Sequence, residues 1–178
     1  MSEELKLKNG KLRVVKGDIT DLEIESFVYY AQHDLALGSG YGNAISMRGG
    51  PGIQEELKEL GPLETTQVVT SGAGELKASK IIHAVGPRFQ EEDIEAKLKA
   101  TVENCLKEAE KQGVKAVAFP AMGCGFYGIP LETSASITLE TIKAHLSNGG
   151  KLEDVVVVLN DTRDYKPFAA KLATLKSA

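Results

Sequence analysis

The chain has 178 residues, with 21 Lys and Arg against 25 Asp and Glu for a formal net charge of -4. That length can bury most of the apolar surface an unfolded chain exposes, and the acidic balance, with no dense Lys/Arg block, speaks against an extended nucleic-acid interface. Two cysteines, Cys105 and Cys124, form neither a disulfide framework nor a metal-ligand spacing, which suits a reducing compartment, and no His/Cys/Asp spacing makes a zinc site. The start, Met1 to Lys6, lacks a basic region followed by an apolar core, and no apolar run approaches the roughly 18 residues of a membrane span. The expectation is a soluble cytoplasmic protein without a membrane partner, residues 1–178 forming one domain.

In chain order, Leu5 to Lys8 and Lys11 to Lys16 flank Asn9-Gly10, a hairpin signal, and open the chain with a β-ribbon that ends at Gly17-Asp18-Ile19-Thr20. Ser26 to Tyr30 reads as a core strand running into Ala31-Gln32-His33-Asp34. The glycine loop Leu37 to Asn43 leads into a short helical stretch, Ala44 to Arg48. Pro51 starts a helix with Ile53, Leu57 and Leu60 on one face. Gln67 to Thr70 and Lys80 to Val85 read as strands, and His83 inside the second apolar run is expected to be a packed, hydrogen-bonded core residue. From Glu92 to Gln112 the apolar positions recur at helical spacing, with Gly113 as C-cap. Val114 to Phe119 is a strand, and Leu131, Ala135, Leu139, Ile142 and Leu146 mark the helix that follows. Asp154 to Leu159 is the most strand-like run, and Asp164 is the expected cap of a last helix carrying Tyr165, Phe168 and Leu172 inward. Strands alternating with helices imply an α/β class with a largely parallel sheet covered on both faces.

The segment between the sixth strand and its helix, Gly123-Cys124-Gly125-Phe126-Tyr127-Gly128, carries the chemistry. Glycines admit positive φ and let a ligand approach backbone N–H groups, so the loop reads as a cradle for phosphate or another anion. It matches G-x-G-x-x-G, but the next strand ends in Asn160-Asp161, too far on for the ribose-binding acid of a dinucleotide fold. Cys124 suggests a thiolate nucleophile, yet Pro130 stands where a phosphatase loop would carry arginine, so a small residue filling a tight turn is the preferred reading. No G-x-x-x-x-G-K-[ST] is present.

Taken together, Gly17 to Thr20, Leu37 to Ile45, Thr70 to Leu76, Ile82 to Pro87 and Ala118 to Gly128 resemble a macrodomain over roughly residues 10 to 175. The resemblance implies a three-layer α/β/α sandwich on a mixed, mostly parallel six-stranded sheet, with a cleft for ADP-ribose at the carboxyl ends of the strands. By position, Asp18 would accept the adenine 6-amino group with the Ile19 amide beside it. The loop containing Gly38, Ser39, Gly40, Tyr41 and Gly42 would wrap the distal ribose and one phosphate. Gly123, Cys124, Gly125 and Phe126 would hold the pyrophosphate, with Tyr127 against the distal ribose.

The chain departs from the family pattern at the ribose end. Where hydrolytic macrodomains usually read Asn-Ala-Ala-Asn, it has Tyr29-Tyr30-Ala31-Gln32, so Gln32 takes the place of the site asparagine, and Gly42 stands where many place an acid. His33 and Asp34 are the remaining candidates for a base. Asn160 occupies the position of an adenine-stacking aromatic, so either Tyr165 or Phe168 substitutes or the stacking is absent. These substitutions favour a module that binds ADP-ribose, free or on ADP-ribosylated proteins, with no cofactor. The alternative is an enzyme at the same site: an ADP-ribosyl hydrolase, an O-acetyl-ADP-ribose deacetylase or an ADP-ribose 1''-phosphate phosphatase.

Overall fold

The computed structural model describes residues 1–38 and 40–177. Its strands are β1 (Ser2–Lys6), β2 (Lys11–Lys16), β3 (Ser26–Tyr30), β4 (Val68–Gly72), β5 (Lys80–Ala84), β6 (Ala116–Phe119) and β7 (Asp154–Leu159). Its helices are α1 (Tyr41–Gly49), α2 (Gly52–Leu57), α3 (Ile94–Lys111), α4 (Leu131–Ser147) and α5 (Thr162–Lys176). The sheet has seven strands in the order β1-β2-β7-β6-β3-β5-β4, not the six that the resemblance implies; the opening hairpin adds β1 as an antiparallel edge. β2, β7, β6, β3 and β5 are mutually parallel, and β4 closes the other edge antiparallel to β5.

Both faces of the sheet are buried, and the side-chain period of two divides β7 between them. Val155 and Val157 join Leu12, Val14, Val28, Ile82 and Phe119 under α3, α4 and α5, which contribute Leu98, Val102, Leu139, Ile142, Phe168 and Leu172. Val156 and Val158 join Phe27, Ile81 and Ala118 on the opposite face, beneath Ile45 of α1 and Ile53 and Leu57 of α2. A strand covered on both sides has no polar positions to alternate, which is why Asp154–Leu159 reads as a nearly unbroken valine run. His83 is fully buried as expected, its Nε2 in a hydrogen bond with Ser71 Oγ at 2.8 Å, and burial pushes its pKa down to about 3.

The last helix is capped differently from the expectation. Asp161, in extended backbone, accepts the Asp164 amide on Oδ1 at 2.8 Å, so Asp164 lies in the first turn and receives the cap. Among the described residues no helix is long and apolar enough to cross a membrane.

Candidate functional site

Five parallel strands end on one side of the sheet, so the segments after Lys16, Leu159, Phe119, Tyr30 and Ala84 gather there. At about 4.8 Å between neighbours, the ends of β2 and β3 stand roughly 14 Å apart with β7 and β6 between them. A cleft of about 640 Å³ runs along this edge. Ligands of open α/β sheets bind at this edge, outside the carboxyl ends of the strands.

At the β2 end stands Asp18. Its Oδ1 accepts the Thr20 amide at 3.0 Å and the Thr20 hydroxyl at 2.7 Å, capping a 3₁₀ turn over Ile19–Asp21, while Oδ2 takes the Arg48 guanidinium at 2.9 Å. Partial burial works against the charge, but the Thr20 hydroxyl, Arg48 and the Thr20 amide outweigh it and hold the carboxyl below its usual range. Helix α1 supplies this wall: Tyr41 and Ala44 line the cleft, and Arg48 follows one turn after Ala44 on the same face. Burial, and then the negative charges of Asp18, Asp164 and Asp161, raise the Tyr41 pKa.

In the middle lies the loop after β6. Gly123 and Gly125 take φ of +76° and +73°, and Gly125–Tyr127 close a 3₁₀ turn through the Gly128 amide and Gly125 carbonyl at 3.0 Å. Such a turn cannot use its own first N–H groups, and the amides of Gly125 and Phe126 have no backbone acceptor among the described residues. Both residues line the cleft, as does Tyr127. These free amides belong to the turn; α4 starts farther on, at Leu131. Cys124 is buried enough to raise its thiol to about 11, against a smaller lowering by Ser134, so it is protonated near neutrality. Ser134 Oγ donates to the Met122 carbonyl at 2.7 Å and pins the loop to α4.

At the β3 end, Tyr29, Tyr30 and Gln32 line the cleft. Tyr30 donates to the Pro87 carbonyl and meets the Tyr127 ring edge-on at 4.9 Å. The Phe89 amide donates to the Tyr127 carbonyl at 2.8 Å, and the Arg88 guanidinium lies 5.8 Å from the Tyr127 ring centre.

Of the residues singled out in the sequence, Asp18, Ile19, Gln32, Gly40, Tyr41, Gly123, Cys124, Gly125, Phe126, Tyr127 and Asn160 line one cleft. Ser39 lies outside the described residues. Gly38 and Gly42 do not line it: Gly38 backs the Gln32 amide, and Gly42 is buried beneath the Tyr29 hydroxyl. His33 and Asp34 do not line it either. His33 Nδ1 bonds the Leu63 carbonyl at 2.8 Å, and Asp34 accepts the Ala36 amide at 2.9 Å, which is turn chemistry. Tyr165 and Phe168 are buried in the core under α5 and leave no aromatic beside Asn160 from that helix. Arg48, Arg88 and Arg163 escaped the sequence reading because each comes from a helix or loop outside the glycine motifs.

A model of the Macro domain matches residues 29–138. The chain is 38% identical over 168 residues to a macro domain-containing protein of Caldanaerobacter subterraneus, covering 89% of this chain and 94% of that one. It is 37% identical over 161 residues to O-acetyl-ADP-ribose deacetylase 1 of Pantoea vagans, covering 87% and 94%. The fold superposes on a variant macrodomain of Oceanobacillus iheyensis solved with ADP-ribose, at a TM-score of 0.96 and 28% identity over 100% of both chains. Sequence and architecture agree over most of the chain, which therefore belongs to the macro domain family.

Proposed function

We propose that the cleft binds ADP-ribose, free or joined to a protein, and that it does so without hydrolysing it. The observation that carries this reading is the pair of unpaired amides at Gly125 and Phe126, set between a carboxylate at one end of the cleft and uncharged polar side chains at the other. Backbone N–H groups hold a diphosphate without adding positive side chains, which fits an acidic chain. Asp18 keeps its charge and can share Oδ2 between Arg48 and an adenine amino group, since each carboxylate oxygen has two lone pairs. Tyr127 and Gln32 then meet the distal ribose.

The carboxylates that line the cleft, Asp18, Asp161 and Asp164, follow β2 or open α5, away from β3. Cys124 carries a proton, and His33 does not line the cleft. Among the described residues no carboxylate or imidazole lines the β3 end of the cleft, which favours binding over catalysis. The similarity to a protein named O-acetyl-ADP-ribose deacetylase supports the second reading, hydrolysis at this site.

Calorimetry with ADP-ribose, ADP, AMP and NAD on the wild type and on Asp18→Ala tests the proposal. The expected result is micromolar ADP-ribose binding that weakens about 10- to 150-fold in Asp18→Ala, the range for losing a charged hydrogen bond. No wild-type binding, or an unchanged Asp18→Ala, overturns it. Incubation with glutamate-linked mono-ADP-ribosylated protein and with O-acetyl-ADP-ribose is expected to release nothing; release abolished by Gln32→Ala establishes the second reading.

A further inference from the structure

The ribose end of the cleft is built around an exchange between two positions. A Cβ on Gly42 would lie 2.5 Å from the Tyr29 Oη, 3.2 Å from its Cζ and 3.2 Å from the Leu37 carbonyl carbon. The Tyr29 phenol thus stands where a side chain of the glycine loop would project. Its ring is set by packing: it meets His83 edge-on at 6.0 Å and 79°, and His83 is itself held by Ser71. The hydroxyl at the end of this braced ring has no hydrogen-bond partner among the described residues, and the residue lines the cleft. Gln32 lines the cleft as well, its Nε2 3.1 Å from where a Cβ on Gly38 would be. Burial raises the phenol to about 12, with Tyr127 adding to the effect, so it remains a proton donor through the physiological range.

A neutral phenol both donates and accepts, as a sugar hydroxyl does, whereas a carboxylate in the same space would only accept. Along the strand order the hydroxyl lies beyond the diphosphate cradle as seen from Asp18, where whatever caps the second phosphate must sit.

We propose that Tyr29 is a specificity-determining residue: its hydroxyl hydrogen-bonds the terminal polyol of the ligand, so that the site separates a sugar-capped nucleoside diphosphate from a bare one. The proposal rests on the reading of the cleft as an ADP-ribose site. Because the ring is packed against His83, little conformational freedom is lost when the bond forms.

The test is the ratio of ADP-ribose to ADP affinity, measured by calorimetry on the wild type and on Tyr29→Phe, which keeps the ring and its packing. One neutral hydrogen bond corresponds to about a three- to tenfold fall in that ratio. A merely structural loss would weaken both nucleotides together and leave the ratio unchanged, and that result overturns the proposal. A wild type that binds neither nucleotide overturns the ADP-ribose reading itself. A wild type that prefers ADP-ribose, with the preference intact in Tyr29→Phe, overturns the role of Tyr29 alone.

Discussion

Gly42→Ala sets helix propensity against packing at one atom. Gly42 is the second residue of α1, where alanine is intrinsically better than glycine by up to about 1 kcal/mol. The new Cβ would stand 2.5 Å from the Tyr29 hydroxyl, a distance at which something must move, and overpacking of this kind costs about 1–3 kcal/mol. The net expectation is destabilisation of about 1 kcal/mol in the wild type. In a Tyr29→Phe background the nearest atoms, the ring Cζ and the Leu37 carbonyl carbon, recede to 3.2 Å, and the same substitution costs less. The coupling energy is thus about 1–2 kcal/mol, within the range seen for residues in contact. Urea unfolding of the four proteins, compared at their midpoints with a common m-value, measures it. A stabilising Gly42→Ala in the wild type, or equal costs in both backgrounds, would show that the phenol does not fill that space.

The other predictions concern the loop, the buried histidine and the cap. Gly125→Glu puts a negative side chain into the anion cradle with nothing within 4 Å of its Cβ; the protein stays folded, at a backbone cost of about 1–3 kcal/mol for positive φ, and calorimetry reads complete loss of ADP-ribose binding. Retained affinity would place the ligand elsewhere. His83 is depressed to about 3 from an ordinary 6.5, so the unfolded chain takes up a proton that the folded one refuses; its stabilising share is full above pH 6.5 and declines as pH falls towards 3, by about 2 kcal/mol at pH 5. In His83→Leu the difference in urea stability between pH 7 and pH 5 shrinks by that amount, and an unchanged difference refutes the assignment. Asp161→Ala lowers stability by about 0.5–2 kcal/mol through the lost cap, while Asp164→Ala costs less, reversing the expectation from sequence.

The strands β3 and β7 begin and end where the residue pattern puts them, at Ser26–Tyr30 and Asp154–Leu159, because a β-branched or aromatic run between polar breaks has few other solutions. The glycine loop after β6 was equally legible as a turn: Gly123, Gly125 and Gly128 take positive φ, and the loop lines the cleft. What the sequence did not disclose depends on direction. Tyr29 and Tyr30 are neighbours on a strand, and their roles rest on what each meets: Tyr29 reaches Gly42 and Tyr30 reaches the Pro87 carbonyl. His33 and Asp34 sit beside Gln32 in the chain yet serve turns, because a bend after the strand end swings them out of the cleft. Asp161 and Asp164 are equivalent as residue types, and only the extended backbone at Asp161 makes it the cap.

The strand order carries a consequence for synthesis. β2, which positions Asp18, touches the sheet only through β7; its other neighbour is β1 of the same hairpin. Of the seven strands of this sheet β7 leaves the ribosome last, roughly 140 residues after β2, so at about 5–20 residues per second the hairpin waits on the order of ten seconds for its partner. Until β7 slots between β2 and β6, the two ends of the cleft have no fixed separation. A nascent chain arrested before Asp154 would thus carry the loop from Gly123 to Gly128 and still be unable to grip a nucleotide at both ends, which makes ligand capture a late event tied to completion of the sheet.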